Sequence, residues 1–130
     1  MTALLGRIAR AVLTAGVLAA TPAAIAAPDT MEARNGAKLR ILDKITARTT
    51  TVDVKLDQTV SFAALRVTLR ACRENPPTEA PEAAAFLEIA EQAQDGARKV
   101  FSGWMFASSP ALSAMEHAVY DVWVLGCVAN

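Results

Sequence analysis

Toward its C-terminal end the chain carries Ser108, Ser109, His117 and Asp121, the residue types of a hydrolytic triad. Such a set works when the imidazole activates a serine hydroxyl and a carboxylate fixes the ring's tautomer. Residue types alone are a weak warrant. Any chain with one histidine and several serines offers them, and no G-x-S-x-G elbow is present. Ser109 before Pro110 reads better as the cap of a short helical turn with proline in its first position. Glu116 and Asp121 flank His117 as paired carboxylates would for acid–base work. A salt bridge or a backbone cap beside a strand is the preferred reading of that group. No constellation amounts to a catalytic set.

Aromatic residues form the next group. Trp104 and Phe106 share one face of a strand pattern, and Phe101, Gly103 and Met105 share the other. Aromatic side chains anchor interfaces, but they also fill the cores of small domains. Core packing is the expectation for Trp104. Tyr120 and Trp123 point to opposite faces of their strand, so one of them is expected outside. Trp104, Phe106, His117, Tyr120, Asp121 and Trp123 together are the candidate interaction surface. Arg66, Arg70 and Arg73 read as a solvated strand face.

Cys72 and Cys127 are the two cysteines. In an oxidising compartment an even pair is most simply one disulfide. Closing a loop of this length stabilises the fold by about 4 kcal/mol in the chain-entropy model. The spacing does not fit a CxxC redox motif. Zinc is not expected, because only His117 would join the two thiols as a typical nitrogen or sulfur ligand. No metal or cofactor is implied.

The elements that must position these residues are short strands. Residues 37–42 are β-like, and residues 49–56 alternate with Thr50, Val52, Val54 and Leu56 on one side. Residues 60–62 and 65–70 follow, with Leu65, Val67 and Leu69 facing inward. Strict parity would put Cys72 on the side of the arginines. The strand must therefore end or bulge near Ala71, or the disulfide must sit at the rim. Pro76, Pro77 and Pro81 exclude regular structure between residues 75 and 81.

Residues 82–93 have helix-favouring composition, but 85–91 are read as a strand. Gln94, Asp95 and Gly96 look like a hairpin connection to a strand over 99–106. Residues 119–128 are apolar on both sides, which predicts a central strand buried on both faces. Six or seven short strands with one brief helical turn imply an all-β fold, a small antiparallel β-sandwich or barrel with one disulfide.

The first 26 residues read as a secretory signal. Arg7 and Arg10 precede an uncharged apolar run, and Ala24-Ile25-Ala26 offers a small-x-small cleavage site. A retained anchor is the lesser reading, because the run holds two prolines and many alanines. Residues 27–36 read as a flexible lead-in, and residues 37–130 as a single β domain. Of 13 basic residues, Arg7 and Arg10 fall in the signal, which leaves 11 against 13 acidic ones. That balance argues against a nucleic-acid binder, and no block of like charge points to an anionic membrane surface.

The C-terminal half also resembles a family. Residues 86–89 (Phe-Leu-Glu-Ile), the string Val100-Phe-Ser-Gly-Trp-Met-Phe-Ala-Ser-Ser-Pro110, Glu116-His117, residues 119–124 and Cys127 resemble the family of domain of unknown function 2155. Cys72 followed by Pro76-Pro77 fits the same pattern. Ala118 departs from it where proline is usual, and Gly126 where aspartate is usual. The resemblance implies an exported bacterial protein of unassigned activity. It also implies a gene neighbourhood: relatives are associated with genes for an accessory subunit of the proton-pumping NADH–quinone oxidoreductase.

The leading expectation is a non-enzymatic periplasmic domain that binds a protein or an envelope component, reaching the membrane only through that partner. The alternatives are an accessory or assembly factor of a respiratory membrane complex, and a small serine hydrolase using Ser108 or Ser109 with His117.

Overall fold

The computed structural model describes residues 30–129, with Gly16 as an isolated described position. The expected signal over residues 1–26 lies outside the described residues apart from Gly16, as do residues 27–29 of the lead-in.

Eight strands lie in the described residues: β1 (Glu32–Arg34), β2 (Gly36–Asp43), β3 (Arg48–Lys55), β4 (Thr59–Phe62), β5 (Leu65–Glu74), β6 (Ala83–Ala93), β7 (Gly96–Phe106) and β8 (Tyr120–Val128). A 3-10 turn, Pro110–Ser113, stands between β7 and β8. All pairings are antiparallel. The larger sheet has the order β1-β5-β6-β7, with β4 also on β5. Because β6 follows one flank of β5, β4 and β1 share the other flank, at its start and its end respectively. The smaller sheet has the order β3-β2-β8. The two sheets enclose one core, as the alternation predicts.

Leu39, Ile41, Val54, Val122 and Val124 come from the smaller sheet, and Leu65, Val67, Leu69, Leu87, Ile89 and Met105 from the larger one. Met115, on the connection between β7 and β8, is buried with them. Burying apolar side chains from both sheets supplies the main driving force for stacking them.

Within residues 82–93 the strand runs over Ala83–Ala93, because Leu87 and Ile89 meet inward-facing neighbours on both sides, Leu69 and Val67 on β5 and Gly103 and Phe101 on β7. The hairpin after β6 is as expected: Ala93 pairs with Gly96, whose φ of +119° suits glycine at the close of the turn.

The disulfide joins Cys72 of β5 to Cys127 of β8, with the Cα atoms 5.9 Å apart. It links the two sheets. Register shifts explain how both cysteines face inward. One falls between Leu69 and Ala71 against β6, leaving Arg70 as the extra residue. Another falls where Lys38 pairs with Gly126 and Leu39 with Val124, leaving Leu125 as the extra residue. Each bulge reverses the inward–outward alternation of the residues beyond it. Of the alternatives for Cys72, the bulge is the one realised, and Cys72 is fully buried.

Three expectations are corrected. The lead-in is not irregular throughout its described part: Glu32–Arg34 forms β1, paired with Cys72–Glu74. Its order comes from that pairing and from ion pairs of Arg34 with Glu32 and Glu74. Next, β8 is an edge strand among the described residues, pairing with β2 alone. Its row Tyr120, Val122, Val124 is buried, but Asp121 and Trp123 are half-buried and Leu125 is exposed. Last, Ser109 precedes the turn and Pro110 takes its first position, but the Ser109 side chain caps nothing. Its carbonyl instead accepts from Leu112 N–H at 3.0 Å.

Candidate interaction surface and polar clusters

The triad residues do not meet. Ser108 donates its hydroxyl and its backbone N–H to Glu82, just before β6. His117 faces Glu91, near the far end of β6. Glu82 and Glu91 are nine residues apart on extended chain, a span of about 30 Å at the usual strand rise. Asp121 is ion-paired with Lys44 at 3.4 Å. The serine and the histidine therefore lie at opposite ends of the sandwich, and the hydrolytic arrangement is not assembled.

His117 has both ring nitrogens occupied. Nδ1 accepts from the N–H groups of Val119 at 3.0 Å and Tyr120 at 3.2 Å. Nε2 lies 3.1 Å from Glu91 Oε2. The ring also lies 5.2 Å from the Tyr120 ring, and Tyr120 packs edge-on against Phe62 at 5.9 Å. Lys44 Nζ donates to the His117 carbonyl at 2.6 Å. Of the two readings for this group, the backbone cap and salt bridge is the observed one. Hydrogen bonds from Arg98 first, then from His117, hold the Glu91 carboxyl below the usual carboxylate range. Glu116, the other proposed partner carboxylate, lines the adjoining cavity of about 410 Å³ with Glu91 and Arg98.

At the opposite end a cleft of about 520 Å³ is lined by Arg34, Glu74, Pro76, Pro77, Glu82 and Leu125, among others. Its best-defined polar group is Glu82. Desolvation on its own would raise this carboxyl, but hydrogen bonds from Ser108 Oγ, Ser108 N–H and Ala83 N–H outweigh it and hold the group below its ordinary value. No group of three or more metal-binding side chains occurs among the described residues.

The six candidate surface residues fall in three places. Tyr120 is buried at the His117 end. Trp123 stands opposite Arg40 on the outer face of the smaller sheet, and Asp121 shares that face. Trp104 and Phe106 stand on the outer face of the larger sheet. The expectation that Trp104 is core is thereby corrected: its neighbour Met105 is buried at 3% exposure, and Trp104, in register with Phe86, is half-buried on the other side. Their rings meet edge to face, 5.5 Å apart at 83°, a favoured aromatic geometry. Phe106 is next along that face, opposite Ala84.

Phe86, the partner of Trp104 on this face, is not among the candidate residues of the sequence. With Leu87 and Ile89 facing inward, alternation alone puts it outside. Arg70 also stands clear of the core, bonded to Asp57 at 2.9 Å and Glu88 at 3.1 Å. Those two carboxylates, Asp57 first, push its guanidinium further toward the charged form.

An antiparallel two-sheet domain, closed by one inter-sheet disulfide and carrying aromatic rings on the outside of its larger sheet, is the class of protein that these features define. Residues 37–127 match the family described as uncharacterized protein conserved in bacteria, domain of unknown function 2155, and the chain belongs to that family. An uncharacterized protein of Rickettsia prowazekii (strain Madrid E) is 28% identical over 91 residues, which is 69% of this chain. The match spans 59% of that relative's own length. No solved structure matches.

Proposed function

We propose that this chain is exported, and that its β domain works in the periplasm as a non-enzymatic binding or accessory protein of the cell envelope. The observation that carries the binding role is the part-buried Phe86–Trp104 pair, continued by Phe106, on the sheet face away from the core. Large rings set outside the core bring much contact area at little entropic cost, which is how interface anchors work. The occupant of this face is a protein. The surroundings carry both signs of charge, from Arg70, Arg73 and Glu88, and lack the basic excess that nucleic acid or an anionic membrane would call for. The signal-like leader and the inter-sheet disulfide support an oxidising location.

The test is cross-linked co-purification from periplasm and solubilised membrane, comparing the wild type with Phe86→Ser/Trp104→Ser. A partner recovered by the wild type and lost in a folded double variant supports the reading. Equal recovery by both proteins overturns the role of this face. Respiratory subunits among the partners lost would direct it to a respiratory complex. Fractionation and N-terminal sequencing test export separately, with a mature chain starting at Ala27 expected.

A further inference from the structure

Residues 107–119 connect β7 to β8 and run from one end of the sandwich to the other. The lower end is tied by Ser108 to Glu82, and the middle by buried Met115. The upper end rests on His117, whose side chain is 9% exposed. Two backbone N–H groups, of Val119 and Tyr120, point at Nδ1. That nitrogen therefore carries no proton, and the ring proton sits on Nε2, toward Glu91.

We infer that His117 is an acid-sensitive latch for the upper end of this connection. A proton taken from solvent onto Nδ1 puts three donors against one another where one acceptor served two. The hydrogen bonds to Val119 and Tyr120 then break, and the start of β8 separates from residues 114–118. The groups around the ring shape this response. Glu91 of β6 attracts an imidazolium, but Arg98 of β7 already holds that carboxylate at 2.7 Å. Lys44, from the turn after β2, sits on the carbonyl of His117 and beside Asp121 of β8, so it opposes a second positive charge there. Glu116 and Arg98 line the adjoining cavity, which gives the charged ring space to turn toward Glu91 as its remaining partner. Tyr120 lies against the ring and moves with the start of β8.

The test measures amide-exchange protection factors in the oxidised protein at pH 8 and pH 5.5, corrected for the intrinsic pH dependence of exchange. Protection at Val119 and Tyr120 is expected to fall several-fold at the lower pH, while Leu87 in the core keeps its value. In His117→Asn, whose Oδ1 accepts but does not charge, protection at Val119 and Tyr120 is expected to stay constant. Unchanged protection in the wild type, an equal fall in His117→Asn, or a parallel fall at Leu87 overturns the inference. Imidazole nitrogen shifts of the wild type give a reading that does not depend on a variant. At pH 8 they should show Nδ1 without a proton and Nε2 with one, and a proton on Nδ1 at that pH overturns the latch.

Discussion

Leu69 and Cys72 stand three residues apart on β5, and both face the core. An uninterrupted strand would turn one of them outward. Arg70, the extra residue between them, makes the pair possible, and its charge is met outside by Asp57 and Glu88. The same spacing recurs on β8, where Val124 and Cys127 are both inward with Leu125 bulged between them. The bond between the sheets therefore depends on two register shifts.

Replacing both cysteines with serine is expected to lower stability by about 4 kcal/mol. Urea denaturation of the oxidised protein and of the double variant checks this. Little change would mean that the bond constrains the unfolded chain far less than its loop length implies.

Met105→Ala is expected to cost about 2–5 kcal/mol, because it opens a cavity in the core. Trp104→Ala should cost less despite the larger side chain, chiefly the edge-to-face term of about 0.5–1.5 kcal/mol plus part of the ring's area. Paired denaturation curves decide. The reverse ranking would put the tryptophan inside.

Gly36 opens β2 where a Cβ would lie 2.8 Å from the Val54 carbonyl oxygen and 2.5 Å from Val128 Cγ2. The valine methyl can give way, but the backbone oxygen cannot without shifting β3. Gly36→Ala is expected to destabilise by about 1–3 kcal/mol, as overpacking does. The shift should appear in the midpoint of thermal unfolding.

Glu82 ties the 107–119 connection to the larger sheet. Its folded carboxyl lies below the ordinary value of 4.5, so its contribution is complete above that value and is lost as pH falls through the folded value. The stability difference between wild type and Glu82→Gln should be flat from pH 6 to 8 and shrink below about pH 4.5. A difference that grows on acidification would contradict the bonding described for Ser108.

Much of the fold is legible in particular residues. Leu65, Val67 and Leu69 announce an inward strand face, and Gln94-Asp95-Gly96 announces a hairpin. The polar β1 is not legible, because Glu32–Arg34 becomes a strand only through pairing with the distant Cys72–Glu74 segment. Apolar residues on both sides of β8 predict a central strand, but Trp123 faces outward on an edge. Parity groups Trp104 with Phe106 correctly, yet it does not tell which group faces in. Gly103 and Met105 decide that only once they meet Leu87 and Ala85 across β6. The role of His117 was hidden for a similar reason. Its partner Glu91 lies on the distant strand β6, and its other partners are backbone groups that carry no sequence signal.

The Cys72–Cys127 bond closes a covalent ring over a separation of 55 residues, one that contains β6, β7 and the whole connection to β8. A protease that cuts once within residues 107–119 thus makes two chains but not two molecules. The nicked protein would stay one species under non-reducing conditions and fall into two fragments only on reduction. Damage to the most irregular stretch of the ring leaves the pieces tethered, each with one strand of the bridged pair.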